Sequence, residues 1–129
     1  MSDLDTVRHL YELLSAQDFE GLLGLAAEDC VLSQDESLPW GGRYVGHDGA
    51  ASFIAALYGN IQSELTIEAL FEDDGQIIQI GRSRGTVLAN GAIFDIPEIH
   101  LWTVIDGKIA SGHFAFDSTV MYQALAVTP

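Results

Sequence analysis

Apolar residues recur along this chain in two different rhythms. In the first seventeen residues Val7, Leu10, Tyr11 and Leu14 fall at i, i+3, i+4 and i+7, which makes one helical stripe. Asp3 or Asp5 can cap that helix, and Gln17-Asp18 ends it. Phe19, Leu22, Leu23 and Ala26 give a second, shorter stripe. A short strand is predicted over 30–34. A loop rich in turn formers follows from Asp35 to Gly46. Asp48 caps a third predicted helix through about Tyr58, with Phe53, Ile54 and Leu57 apolar.

The second half changes to strands with turn punctuation. Runs over 65–72, 76–88, 92–105 and 108–116 are separated by Asp73-Asp74-Gly75, Ala89-Asn90-Gly91 and Asp106-Gly107. Asn-Gly and Asp-Gly between β-rich runs are hairpin signals. Asp117 or Ser118 caps a final helix to about Ala126. Helices first and a meander afterwards imply an α+β fold. Three N-terminal helices are expected to pack on a curved, mainly antiparallel sheet, a cone-shaped barrel enclosing an apolar pocket. Gly81 and Gly85 mark a bend or close approach in the second long strand. With no repeat or linker, residues 1–129 read as one domain.

Side chains alternate along a strand. On the third long strand Phe94, Ile96, Glu98, His100, Trp102 and Val104 share one face. A three-residue turn at Ile105-Asp106-Gly107 sets His100 opposite Gly112, Glu98 opposite Phe114 and Ile96 opposite Phe116. A two-residue turn sets His100 opposite His113. The first register gathers the aromatics on one face and is the expectation here. Glu98 and His100 then lie among Phe94, Trp102, Phe114 and Phe116. A histidine beside a carboxylate is a candidate general base; a hydrogen-bonded core histidine is the competing reading. Trp40, between Pro39 and Gly41-Gly42, reads either as a contact on a mobile loop at the pocket mouth or as a staple of that loop. Ile99, Leu101 and Ile105 make the opposite face apolar as well, which calls for a second copy of the chain.

Charge narrows the partners. Five basic residues stand against nineteen acidic ones, for a net charge of −14. That balance excludes nucleic acid and disfavours anionic membranes and highly anionic substrates. Cys30 is the only cysteine, so no internal disulfide forms, and a buried inert thiol is expected. The N-terminus has no secretory pattern, and no apolar run is long enough to span a bilayer. A cytoplasmic chain is expected, with no cofactor and no metal.

The segment Ile99-His100-Leu101-Trp102-Thr103-Val104-Ile105-Asp106-Gly107-Lys108-Ile109, followed by Asp117 and a short helix, resembles the SnoaL-like polyketide cyclase branch of the ketosteroid isomerase and nuclear-transport-factor superfold. The loop Pro39-Trp40-Gly41-Gly42-Arg43-Tyr44-Val45-Gly46 and the opening helix pair around Gln17-Asp18 resemble it too. The resemblance implies the cone-shaped barrel. It matches His100 to a pocket histidine of aldol-type cyclases and Glu98 to a polar pocket residue. It sets Phe114 where those cyclases carry an acid/base Asp, so efficient aldol cyclase chemistry is not expected. Against the ketosteroid isomerases, Gln34 takes the place of the base, one residue before Asp35. His100 takes the place of the oxyanion Asp, and Leu10 that of the Tyr, one residue before Tyr11.

The candidate site is therefore His100, Glu98 and Asp35 for proton transfer, with Tyr11, Gln34, Trp40, Phe94, Trp102, Phe114 and Phe116 around a small hydrophobic molecule. Two functions stand open. One is a cofactor-independent isomerase, dehydratase or cyclase working by general acid/base catalysis. The other is a non-catalytic ligand-binding or dimerisation domain of the same fold.

Overall fold

The computed structural model describes residues 2–128. Helix α1 spans Asp3–Ser15 and opens on a capping box. Ser2 Oγ accepts the Asp5 N–H at 3.1 Å, and the Asp5 carboxylate accepts the Ser2 N–H. The cap is thus Ser2, one residue ahead of the expected acids. The stripe works as expected: Val7, Leu10 and Tyr11 are buried. Helix α2, Phe19–Leu25, starts on Asp18, whose carboxylate accepts the Gly21 N–H at 2.9 Å. Helix α3 runs Gly46–Asn60, two residues ahead of Asp48, from a Val45 cap with no side-chain bond.

Strand β1, Ala26–Gln34, is longer than predicted, and strand β2, Gly42–Val45, lies inside the segment expected to be a loop. The long strands are β3 (Ile61–Asp73), β4 (Gln76–Val87), β5 (Ile93–Ile105) and β6 (Lys108–Phe116). The order is β2-β1-β6-β5-β4-β3. The meander β3 to β6 is antiparallel, as expected; β1 runs parallel to β6. Helix α4, Ser118–Leu125, is capped by Asp117, which accepts the Thr119 and Val120 N–H groups.

The sheet curls because β4 lacks side chains where β3 crosses it. A Cβ on Gly81 would sit 2.1 Å from Thr66 O, and one on Gly85 1.8 Å from Gln62 O. Only glycine admits that approach. The curl turns the inner sheet face into a wall, and α1 and α3 close the cone. The aromatic core of Tyr11, Trp40, Phe53, Phe94, Trp102 and Phe114 gathers there.

The register of β5 on β6 differs from both sequence expectations. Asp106 and Gly107 both have positive φ, 51° and 75°, and form a two-residue turn pairing Ile105 with Lys108. A β-bulge between Thr103 and Val104 then shifts the ladder by one residue. His100 consequently stands opposite Phe114, Glu98 opposite Phe116, and Trp102 opposite Gly112. The bulge restores the parity that the tight turn would have broken. The even positions of β5 and both phenylalanines of β6 still share the inner face, and His113 lies on the outer one.

Candidate functional site

Inside the cone lies a cavity of about 1040 Å³. Its lining includes Tyr11 from α1, Gln34 from β1, Glu98, His100 and Trp102 from β5, and Phe114 from β6. Four of the side chains that line it, and Gln79 behind them, form one continuous hydrogen-bonded chain. Trp102 Nε1–H donates to the Tyr11 hydroxyl at 2.8 Å. The Tyr11 hydroxyl lies 2.7 Å from His100 Nδ1. His100 Nε2 lies 3.0 Å from Glu98 Oε2. Gln79 Nε2–H donates to the other carboxylate oxygen, Glu98 Oε1, at 3.1 Å. Glu98 and His100 are 5% and 8% exposed, so the chain is held away from bulk water.

Sequence explains the positions. His100 and Glu98 are i, i+2 on β5 and point the same way. Gln79 is the β4 residue directly opposite His100, and Gly81 opposite Glu98 leaves room for the carboxylate. Tyr11 reaches them because Val7, Leu10 and Tyr11 are the buried face of α1. The Trp102 indole covers Gly112, where a Cβ would come within 2.6 Å of the ring. His100 meets the Phe114 ring edge-on at 5.0 Å between centroids.

Proton bookkeeping limits the states of this chain. Trp102 can only donate, and a carboxylate can only accept. With His100 neutral, its Nε2–H serves Glu98 and Nδ1 accepts from Tyr11. With His100 charged, Nδ1–H donates to Tyr11, and the Tyr11 hydrogen is left for the cavity. The Tyr11 phenol is held well above the usual tyrosine range by burial and then by the Glu98 charge; the Trp102 N–H opposes this. It therefore stays a hydroxyl and changes only the direction in which it donates.

Other predicted site residues fall elsewhere. Asp35 does not line the cavity. Its carboxylate accepts from the Ser37 N–H and hydroxyl and from Tyr122 of α4, on the surface. The turn geometry after β1 directs it there, so it cannot assist His100. Trp40 is fully buried, and donates Nε1–H to Gln34 Oε1 at 2.9 Å while facing the cavity. It staples the loop. Phe94 is buried opposite Gly85 in the core and does not line the cavity. Trp102, Phe114, Phe116 and Gln34 do line it. Gln79 was not anticipated. A glutamine between isoleucines on a strand was the only signal, and its significance depends on the β4–β5 register. Cys30 is buried, as expected, and burial raises its thiol above the usual range. No group of three or more metal-ligating side chains occurs among the described residues, and no helix there is long and apolar enough to cross a membrane.

The family model of the SnoaL-like domain matches residues 7–112, from the buried stripe of α1 to the middle of β6. This chain belongs to the SnoaL-like family. The match takes in Tyr11, Gln79, Glu98, His100 and Trp102. Among solved structures, this SnoaL-like chain is similar to an NTF2-like protein of unknown function from Burkholderia pseudomallei K96243. Their identity is 25%, with 98% of this chain and 100% of that one covered and a TM-score of 0.89. It is also similar to TerC, co-crystallised with polyporic acid, at 22% identity over 95% of this chain and 97% of that one, TM-score 0.86. A third is a proposed polyketide cyclase from Pseudomonas putida KT2440, at 20% identity over 98% and 99%, TM-score 0.84. No curated protein sequence matches the chain. The neighbours establish the NTF2-like cone.

Proposed function

We propose that this SnoaL-like chain binds a small, neutral, largely apolar molecule and moves a proton at one of its carbonyl or hydroxyl oxygens. The reaction class is a cofactor-independent isomerisation, dehydration or cyclisation. The observation that carries the reading is the buried chain Tyr11–His100–Glu98 at the edge of an apolar cavity. The Tyr11 hydroxyl is the group that touches substrate. When its oxygen takes the proton of a substrate O–H, its own hydrogen moves to His100 Nδ1, so that Tyr11 remains a phenol, the substrate becomes an alkoxide or enolate and Glu98 holds the imidazolium that forms. Run backwards, the same chain delivers a proton to a developing oxyanion. The Glu98 charge and the net charge of −14 both disfavour an anionic ligand.

Saturation of both His100 nitrogens by protein partners favours a second reading, in which the network is only the polar floor of a binding pocket. Hydrogen exchange separates the two. In D2O, 2-tetralone should exchange its α-hydrogens faster with the protein than in matched buffer, because the phenol hydrogen bonded to the ketone oxygen makes the α-hydrogen easier for solvent to remove, and solvent deuterium then returns to carbon. Binding of 2-tetralone without faster exchange would leave the binding reading.

The outer sheet face supports a homodimer. Phe71, Ile78 and Leu101 form one cross-strand row, and Ala69, Ile80, Ile99 and Ala115 a second. Phe71, Ile80 and Ile99 are 39%, 38% and 44% exposed. Arg82 and Arg84, both paired with Asp95, rim the patch. A second copy laid on the same face buries these rows.

A further inference from the structure

The cavity has a second polar pole that the proton relay leaves unused. Ser83 lies on the inner face of β4, is 5% exposed, and lines the cavity. Its hydroxyl has no hydrogen-bond partner among the described residues. The two flanking inward positions of β4 are Gly81 and Gly85, so no side chain of its own strand covers it. Ser63 of β3 lines the same cavity beside it, opposite Gly85, and its hydroxyl is equally unpartnered. Ser63 is half-buried, and neither hydroxyl is sealed from the cavity. Two unpartnered hydroxyls open to one cavity can each bond a ligand oxygen.

The register gives the spacing. Ser83 pairs with Ile96, four residues along β5 from His100, which holds Tyr11. Four strand residues span about 13 Å. A hydrogen bond of roughly 2.8 Å at each end, not collinear with the strand, leaves on the order of 8–10 Å between two ligand oxygens. Between the poles stand Glu98 and Phe116, and Leu65 stands opposite Ser83 on β3. Resting on the reading that this cavity takes a neutral apolar ligand, we propose that Ser83 is a second binding contact. The ligand class is a neutral, flat or elongated molecule with a hydrogen-bonding oxygen at each end, one at Tyr11 and one at Ser83.

Biphenyl-4-ol and biphenyl-4,4′-diol have the same apolar body and differ only in the second oxygen. Calorimetric titration of the full chain should give the diol an affinity about five- to tenfold higher than the mono-ol, the worth of one added neutral hydrogen bond. Ser83→Ala, checked for an unchanged melting profile, should bring the diol down to the mono-ol and leave the mono-ol unaffected. Equal affinities in the wild type, or an equal loss for both ligands in Ser83→Ala, would overturn the proposal. So would loss of the preference in Ser63→Ala alone. Failure of both ligands to bind would instead remove the apolar-ligand reading, and this subsite with it.

Discussion

Tyr11 and His100, 89 residues apart in the chain, are joined in the buried interior by a hydrogen bond of 2.7 Å. That bond ties the first helix to the third strand of the meander. It also leaves both imidazole nitrogens bonded, one to Tyr11 and one to Glu98.

Burial and the Glu98 charge raise the Tyr11 ionisation, so the folded chain keeps a proton that the unfolded chain releases above about pH 10. The residue's contribution to stability is constant below that pH and is lost as pH rises beyond it. In an absorbance titration, wild type and Tyr11→Phe should give the same phenolate amplitude near pH 10. A larger wild-type amplitude there would show that Tyr11 ionises normally. Tyr11→Phe should itself cost about 2 kcal/mol in urea unfolding, since Trp102 Nε1 and His100 Nδ1 each lose a partner.

Gln79 is fully buried, and its Oε1 has no partner among the described residues. It stays because its amide N–H serves Glu98, and a hydrogen bond to a charge outweighs one orphaned carbonyl. Gln79→Met should therefore destabilise by about 1 kcal/mol, and the cost should vanish in a Glu98→Leu background. A double-mutant cycle of urea unfolding reads this directly. Equal costs in both backgrounds would mean that Gln79 only fills space.

Trp40 holds the β1–β2 loop to the core. Trp40→Ala should lose about 3–5 kcal/mol of stability, the usual cost of deleting a buried aromatic side chain. Chemical denaturation checks it. A loss below about 1 kcal/mol would restore the picture of a mobile mouth residue.

Ile80 and Ile99 pair across β4 and β5 in the middle of the apolar outer face. Wild-type protein should sediment as a dimer at micromolar concentration, and Ile80→Glu as a monomer. A monomeric wild type would contradict the second-copy proposal.

Most of the architecture was legible because the signals are local. The α1 stripe, the Asp-Gly turns and the Asp117 cap each declare themselves within a few residues. The inner face of β5 followed from alternation alone. What was not legible depends on pairing between distant segments. The bulge at Thr103–Val104 moved Phe114 opposite His100, and the parallel pairing of β1 with β6 lengthened β1. Gln79 gains its meaning only from standing opposite His100. Asp35 adjoins Gln34 in sequence, but the chain turns sharply after β1 and carries it to the surface. Glu98 was the informative residue in advance, since a carboxylate on an inward strand position demands partners, and two side chains, Gln79 and His100, answer that demand.

In the proposed function, protons pass between ligand and protein through Tyr11 and His100. The most direct measurement is α-hydrogen exchange of 2-tetralone in D2O by wild type and His100→Gln, with ketone affinity and thermal melting measured on both. Both proteins should fold and bind the ketone equally well, with protein-promoted exchange falling by on the order of a hundredfold or more in the variant. Exchange that proceeds at the wild-type rate in a folded His100→Gln protein would contradict it.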